Sequence, residues 1–252
     1  MSYKNPLQRF VFRKDLFRRV QKRLAGYERR LTKDEVSDLA RLFEGEEPKT
    51  VFDVGANVGF LSWQFLKVFK NAQIYALEPD PVAFGMLQKT HGANPRMRVF
   101  RTAAADREAE LTFRQRGVSC NSSLCESANG NGKDDGQTIQ VRATTLDALC
   151  AEESVTHIDL LKTDTEGAEL LVLAGAKRML EEKRIEVVMS EILFVPTYKG
   201  QASFDEIARF LAAYDFRIFN VYVGSETSRG QARYGNAIFV GKRLQQKLAS
   251  ED

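Results

Sequence analysis

The sequence predicts an α/β protein built on a doubly wound, mostly parallel sheet. Three observations predict it. From Lys49 onward, apolar runs of strand length alternate with segments of helical period, in repeated β-α-β order. The connections are short, as right-handed crossovers between parallel strands require. The chain of 252 residues, 43% hydrophobic and 28% charged, is large enough to bury a full core and has ordinary globular composition.

The elements follow in order. Leu7, Phe10, Val11, Phe17, Val20, Leu24, Tyr27 and Leu31 recur near a 3.6-residue period, which predicts a helical N-terminal extension. Thr32 as N-cap with Glu35 three residues on predicts a second helix reaching Phe43, stopped by Gly45 and Pro48. Strands are then expected at Thr50–Val54, Gln73–Leu77 and Arg98–Thr102, with helices Val58–Lys70 and Pro81–Thr90 between them. Glu110–Arg116 alternates like a half-buried strand, and Thr138–Ala143 returns to strand after a polar loop over Gly117–Gln137. Beyond lie helix Thr145–Glu152, strand Ile158–Thr163, helix Ala168–Glu182, strand Glu186–Ser190 and helix Phe204–Tyr214. Arg217–Val223 and Ala237–Val240 close the chain as a β pair. Residues 1–47 thus read as an extension, 48–243 as the main domain and 244–252 as a tail.

Charge is uneven. Residues 1–30 hold ten Lys or Arg against Asp15 and Glu28, so this segment is +8 in a chain of net +3 and the remainder is −5. A basic amphipathic segment suits contact with an anionic membrane or polymer, or packing of its apolar face on the main domain. No apolar run reaches membrane-spanning length and the first residues lack a signal core, so a cytoplasmic protein is expected, peripheral to a membrane at most. Cys120, Cys125 and Cys150 suggest reduced thiols rather than a disulfide framework or a metal site. His91 and His157 are too few and too distant for zinc.

Open parallel sheets bind ligands at the carboxyl ends of their strands, where strand order reverses. The first strand ends in Asp53-Val54-Gly55-Ala56-Asn57-Val58-Gly59-Phe60. Asn57 and Phe60 stand where a dinucleotide fingerprint needs glycine, and no phosphate loop is present. The second strand ends in Glu78-Pro79-Asp80-Pro81, an acid suited to both ribose hydroxyls. Asp53 and Glu78 together would repel phosphate but tolerate a cationic adenosyl compound, and S-adenosylmethionine is one. After the third strand, Ala103, Ala104 and Ala105 leave room for adenine, and Asp106 is placed to accept from its amino group. The fourth strand ends in Leu161-Lys162-Thr163-Asp164-Thr165-Glu166-Gly167-Ala168-Glu169. Asp164 is expected near the donor sulfur, with Glu191 of the fifth strand facing it. Glu166 and Glu169 equally suit capping of the next helix.

In this order, D-V-G-A-N-V-G (53–59), E-P-D-P (78–81), T-L-D-A-L (145–149), L-K-T-D-T-E-G-A-E (161–169) and S-F-D-E-I (203–207) resemble the FkbM-type methyltransferases. The resemblance spans about Lys49 to Lys242 and leaves out the basic extension. It implies a Rossmann-like class I methyltransferase fold with a seven-stranded sheet, and methyl transfer from S-adenosylmethionine to hydroxyls of sugars, glycolipids, polysaccharides or polyketides. It places the donor site on Asp53, Gly55, Asn57, Gly59 and Glu78, the adenine side near Ala103 to Asp106, and an acid at Asp164. Thr163 and Thr165 stand where the family commonly has Ile and Val. The family's active-site loop serine falls among Asn121, Ser122 and Ser123.

Asp164 is the first candidate base and Glu191 the second; a base helps because an alcohol is a poor nucleophile. Magnesium held by the same acids is possible but not favoured. The acceptor is expected to be a small molecule or glycan, chosen by the loops Gly117–Gln137, Phe194–Gln201 and Gly224–Gly235. Nucleic-acid methylation is the rival activity, and a donor-binding module without turnover is the rival class. The first lacks its [DN]-P-P-[YFW] step, since D-T-E-G stands there, and a catalytic Cys after the fourth strand.

Overall fold

The computed structural model describes residues 34–115, 123–127 and 137–250. The basic extension, its Thr32 cap, and Asn121 and Ser122 lie outside them. Twelve strands are present among the described residues: β1 (Thr50–Val54), β2 (Gln73–Leu77), β3 (Met97–Phe100), β4 (Ala103–Ala104), β5 (Ala109–Gln115), β6 (Glu126–Ser127), β7 (Gln137–Thr144), β8 (Ile158–Thr163), β9 (Ile185–Leu193), β10 (Tyr198–Lys199), β11 (Arg217–Glu226) and β12 (Ala232–Val240).

Seven of them form one sheet in the order β11-β12-β9-β8-β1-β2-β3. Neighbours are parallel except where β12 runs antiparallel to both β9 and β11. The chain moves outward from β1 to β3, then returns to β8 on the other side of β1, so strand order reverses between β1 and β8. That reversal opens a crevice at their carboxyl ends.

Alternation along the strands divides the core into two layers. Phe52, Leu77, Leu161, Val188 and Phe239 face one side; Val51, Ile74, Leu160, Met189 and Ile238 face the other. The first layer is covered by helices Leu146–Glu152, Glu169–Ala174 and Phe204–Ala212, the second by helices Glu35–Leu42 and Phe60–Val68. Each fully buried Phe or Leu contributes roughly 1.5–3 kcal/mol.

Four differences from the sequence reading bear on how the domain and its site are built. Helix Glu35–Leu42 starts at Asp34, not Thr32, because the Asp34 carboxylate accepts from the Ser37 amide at 2.8 Å. The helix expected over Ala168–Glu182 breaks into Glu169–Ala174 and Lys177–Glu181. Gly175 lies so close to β4 that a Cβ would meet the Ala105 carbonyl oxygen at 2.0 Å, and its own carbonyl accepts from the Asp147 amide at 2.9 Å. Asp147 then starts the second segment, its carboxylate accepting from the amides of Arg178 (2.7 Å) and Met179 (3.0 Å). Glu191 lies inside β9 rather than at its end, since β12 continues to pair with β9 up to Leu193. The region read as a tail is largely helix Lys242–Ala249, anchored by buried Leu244.

The strands expected over Glu110–Arg116 and Thr138–Ala143 pair with each other, as β5 and β7, in a separate three-stranded sheet ordered β4-β7-β5. β6 and β10 form a two-stranded pair. These side sheets wall the crevice.

Candidate active site

The turn after β1 is shaped by backbone contact. Gly55 and Gly59 have φ of +76° and +87°, and Asn57 adopts +51°. A Cβ on Gly55 would sit 1.8 Å from the Asp164 carbonyl oxygen. Only glycine lets the β1 turn and the β8 end come this close. One on Gly59 would meet Leu87 Cδ1 at 2.6 Å and His91 Cδ2 at 2.8 Å, so this turn also packs tightly against helix Pro81–His91.

Glu78, just past β2, is buried, and both its oxygens are already oriented. Oε2 accepts from the Asn57 amide at 2.7 Å and Oε1 from the Asp80 amide at 2.8 Å. Burial pushes its pKa up to about 7, although the two amides and nearby Lys162 favour the charged form. Asp80 caps the next helix, accepting from the amides of Val82 (2.7 Å) and Ala83 (3.1 Å), and takes a hydrogen bond from Gln115 of β5 at 3.0 Å. Val54, Gly55, Glu78, Ala103, Ala104 and Phe113 line a cleft. Its small alanines and apolar walls suit a flat ring. Asp106 is absent from the lining: its carboxylate pairs with Arg107 at 3.2 Å, which corrects its expected place beside adenine. Ala103 and Ala104 line the cleft, Ala105 is fully buried outside its lining, and Asp106 is exposed.

Asp53 is also corrected. It is 0% exposed and lies beneath the turn, not at the crevice mouth. Its Oδ2 accepts from Ser62 Oγ, and Oδ1 pairs with Lys162 Nζ at 2.9 Å. Asp53 therefore contributes no free negative charge to repel phosphate, and Glu78 alone carries that part of the argument. Lys162 is the site residue that the sequence reading did not single out. It is 3% exposed, opposite Asp53 in the β1–β8 register, and also reaches the Gly55 carbonyl at 3.0 Å and Asp164 Oδ2 at 3.4 Å. Burial works against its charge, but the Asp53 and Asp164 carboxylates outweigh burial and hold the ammonium protonated. The signal was a lysine in an apolar strand: a buried charge demands a partner.

Asp164 follows β8 with its side chain 40% exposed and paired with the buried Lys162. The oxygens of Asp164, Glu166 and Glu191 lie within 4.8 Å of one another. Glu191 faces Asp164 as expected, but its Oε2 is buried without a hydrogen-bond partner. Burial first, then the carboxylates of Asp164, Glu166 and Glu169, push its pKa far up despite Lys162. These surroundings favour the protonated form of Glu191. Glu169 is buried and braces the turn, accepting from the Thr165 amide (2.8 Å), the Thr165 hydroxyl (3.0 Å) and the Gly167 amide (3.3 Å). Glu169 thus fastens the turn before helix Glu169–Ala174, which has Ala168 at its N-cap and no side-chain cap. Glu166 has φ +55° and accepts from the Tyr198 hydroxyl instead.

Ser123 reaches this turn from the polar loop. Its hydroxyl donates to the Glu166 carbonyl at 2.7 Å and accepts from the Cys125 amide at 2.9 Å. The β6–β10 pair joins the loop to Tyr198 and Lys199, so two of the three loops expected to choose the acceptor form one wall. Cys150 is a free thiol, and burial holds it so, with a pKa of about 12.

A seven-stranded sheet with one reversed strand, a glycine turn after β1 and an oriented carboxylate after β2 define a class I methyltransferase. The chain belongs to the FkbM methyltransferase family, whose domain matches residues 53–218. The 2-O-methyltransferase NoeI of Sinorhizobium fredii is 27% identical over 199 residues, covering 70% of this chain and 76% of NoeI. The hexuronic acid methyltransferase AglP of Haloferax volcanii is 23% identical over 180 residues, covering 66% of this chain and 71% of AglP. Among solved structures, the magnesium protoporphyrin IX methyltransferase ChlM from Synechocystis, with bound S-adenosylmethionine, overlays with a TM-score of 0.47 at 11% identity, covering 82% of this chain and 78% of that one. The protein is thus an S-adenosylmethionine-dependent methyltransferase. The residues present fit that cofactor: Gly55 leaves no Cβ in the cradle, and buried Glu78 has both oxygens fixed.

Proposed function

We propose that this enzyme methylates a hydroxyl oxygen of a saccharide acceptor. The observation that carries the reading is Asp164: a half-open carboxylate in backbone contact with the donor turn and tethered to Lys162. Gly55, Asn57, Gly59 and Glu78 would hold the donor, with Ala104 against its adenine. When bound, S-adenosylmethionine supplies a methyl group on a sulfonium that an oxygen can displace. Asp164 accepts the proton of the attacking hydroxyl, for an expected gain of roughly 10²–10⁴-fold. Protonated Glu191 offers a hydrogen bond to a second acceptor oxygen. Holding the oxygen in line beside the donor supplies much of the remaining acceleration. The 2-O- and hexuronic acid specificities in the names of NoeI and AglP support a sugar hydroxyl as target.

The basic extension supports a further element, contact with an anionic surface. Glu35, one residue beyond Asp34, accepts from Asn236 at 2.9 Å, and Asn236 stands opposite Glu191 in the sheet. The described residues thus begin near the crevice end, and the ten cations that precede them in sequence would draw a membrane or polyanionic glycan toward the acceptor side.

The test is to incubate the full chain with methyl-labelled S-adenosylmethionine and, separately, hexuronic acid glycosides, neutral hexose glycosides, oligosaccharides and short RNA, with and without chelator. The expected result is label on a saccharide hydroxyl, unchanged by chelator. Label on RNA alone would overturn the reading. Donor binding without product in any arm would favour a non-catalytic module. Loss with chelator and recovery with magnesium would give Asp164, Glu166 and Glu191 the ion instead of the proton.

A further inference from the structure

We propose that Lys162 is a positioning residue of the transfer reaction, fixing the Asp164 carboxylate relative to the donor turn. This inference rests on the reading of Asp164 as base. The Lys162 ammonium is enclosed by four oxygens: Asp53 Oδ1 at 2.9 Å, Gly55 O at 3.0 Å, Asp164 Oδ2 at 3.4 Å and Val54 O at 3.4 Å. Two of these belong to the strand and turn that cradle the donor, one anchors the network below, and one belongs to the base. With Lys162 3% exposed and Asp53 fully enclosed, that pair is little screened by solvent, while Asp164 at the other end opens to it.

Stability alone does not account for this arrangement. A buried ion pair is often matched or surpassed by apolar residues of the same volume. Asp53 and Lys162 face each other across β1 and β8, the two strands between which the crevice opens. A Met–Leu pair there would hold the strands together equally well but would leave Asp164 without a tether. The Lys162 ammonium donates to the Val54 and Gly55 carbonyls and forms ion pairs with both carboxylates. A displacement at one end of the network is therefore felt at the other. An error of about 1 Å in such a group costs on the order of 10²-fold in rate.

The test compares Asp53→Asn with Asp53→Asn/Lys162→Met, because removing Lys162 alone would strand a buried carboxylate. Should methionine not be tolerated, Asp53→Asn/Lys162→Gln keeps a donor for the Gly55 carbonyl and gives the same comparison. Donor affinity is read by calorimetry with S-adenosylmethionine, and turnover at saturating donor with the best saccharide of the panel above. The double variant is expected to bind donor within about threefold of Asp53→Asn and to turn over at least about tenfold more slowly. Equal turnover at saturation, or a loss confined to donor affinity, would overturn the proposal. Asp164→Asn separates the two failures. If it abolishes turnover while Lys162 proves dispensable, only this inference falls. If it leaves turnover intact, the reading of Asp164 falls first.

Discussion

The Asn57 amide donates to Glu78 Oε2 at 2.7 Å, so the turn after β1 aims the acid after β2. Neither residue reaches the other through sequence proximity; the parallel pairing of β1 with β2 brings them together. Glu78→Ala should therefore weaken S-adenosylmethionine binding more than turnover at saturating donor. The carboxyl, pushed up to about 7 by burial, must ionise to accept from two ribose hydroxyls. Donor affinity should rise with pH through about 7, and Glu78→Gln should flatten that rise. Stability runs the opposite way. Between the ordinary glutamate range and about 7, the folded chain keeps a proton that the unfolded chain releases, so Glu78 makes the free protein less stable as pH rises. Calorimetry and thermal melts across pH 5–8 check both signs.

Asp164→Asn should lower turnover by roughly 10²–10⁴-fold while leaving donor affinity close to the parent's. The substitution keeps the shape and retains an oxygen to accept from Lys162. Single-turnover rates alongside calorimetric donor binding distinguish a lost base from a lost fold.

The strand–helix order was legible because the central parallel strands are mostly apolar and alternate with segments of helical period. Gly55, Asn57, Gly59 and Glu78 were legible for a related reason: a turn that touches a ligand needs special backbone, and an acid at a strand tip is costly unless used. Asp53 was misjudged because sequence shows that an acid is present but not which way it points. Its direction follows from register, which puts Lys162 beside it. The break at Gly175 depends on the approach of Ala105, far away in sequence. The pairing of β6 with β10 joins segments too short and polar to announce themselves as strands.

Glu191→Gln should lower turnover far less than Asp164→Asn. Glu191 is held protonated by burial and by the neighbouring acids, so glutamine reproduces its resting form in shape and charge. The parent's Glu191 retains its proton to far higher pH than an unfolded glutamate, so this residue costs the fold stability as pH rises above the ordinary glutamate range. The Gln variant should lose that decline, and a thermal melt at pH 8 should show it at least as stable as the parent. A collapse of turnover matching Asp164→Asn would transfer the base role to Glu191.

Gly55→Ala should abolish donor binding. The new Cβ would be driven against the Asp164 carbonyl, and the residue would be held at φ +76°, where alanine is strained by about 1–3 kcal/mol. Relief requires the β1 turn and the β8 end to part, which opens the cradle. Gly45→Ala is the matched control, with φ +82° but no atom within 4 Å of its Cβ. It should show backbone strain in a melt while binding S-adenosylmethionine normally.

Deleting residues 1–30 should leave S-adenosylmethionine binding intact and remove sedimentation with vesicles rich in anionic lipid. The deletion takes away a net charge of +8 and leaves Asp34, the cap of helix Glu35–Leu42, in place. That helix is held independently, by Leu39 and Leu42 in the core and by Asp38, which accepts from Asn220 at 3.0 Å and from the Tyr222 hydroxyl. Electrostatic attachment of about 1 kcal/mol per cation near the surface predicts that binding by the full chain falls with rising salt and vanishes on neutral vesicles. Salt-insensitive binding would point to apolar insertion instead. An unfolded truncation product would show that the extension packs on the domain rather than serving a surface.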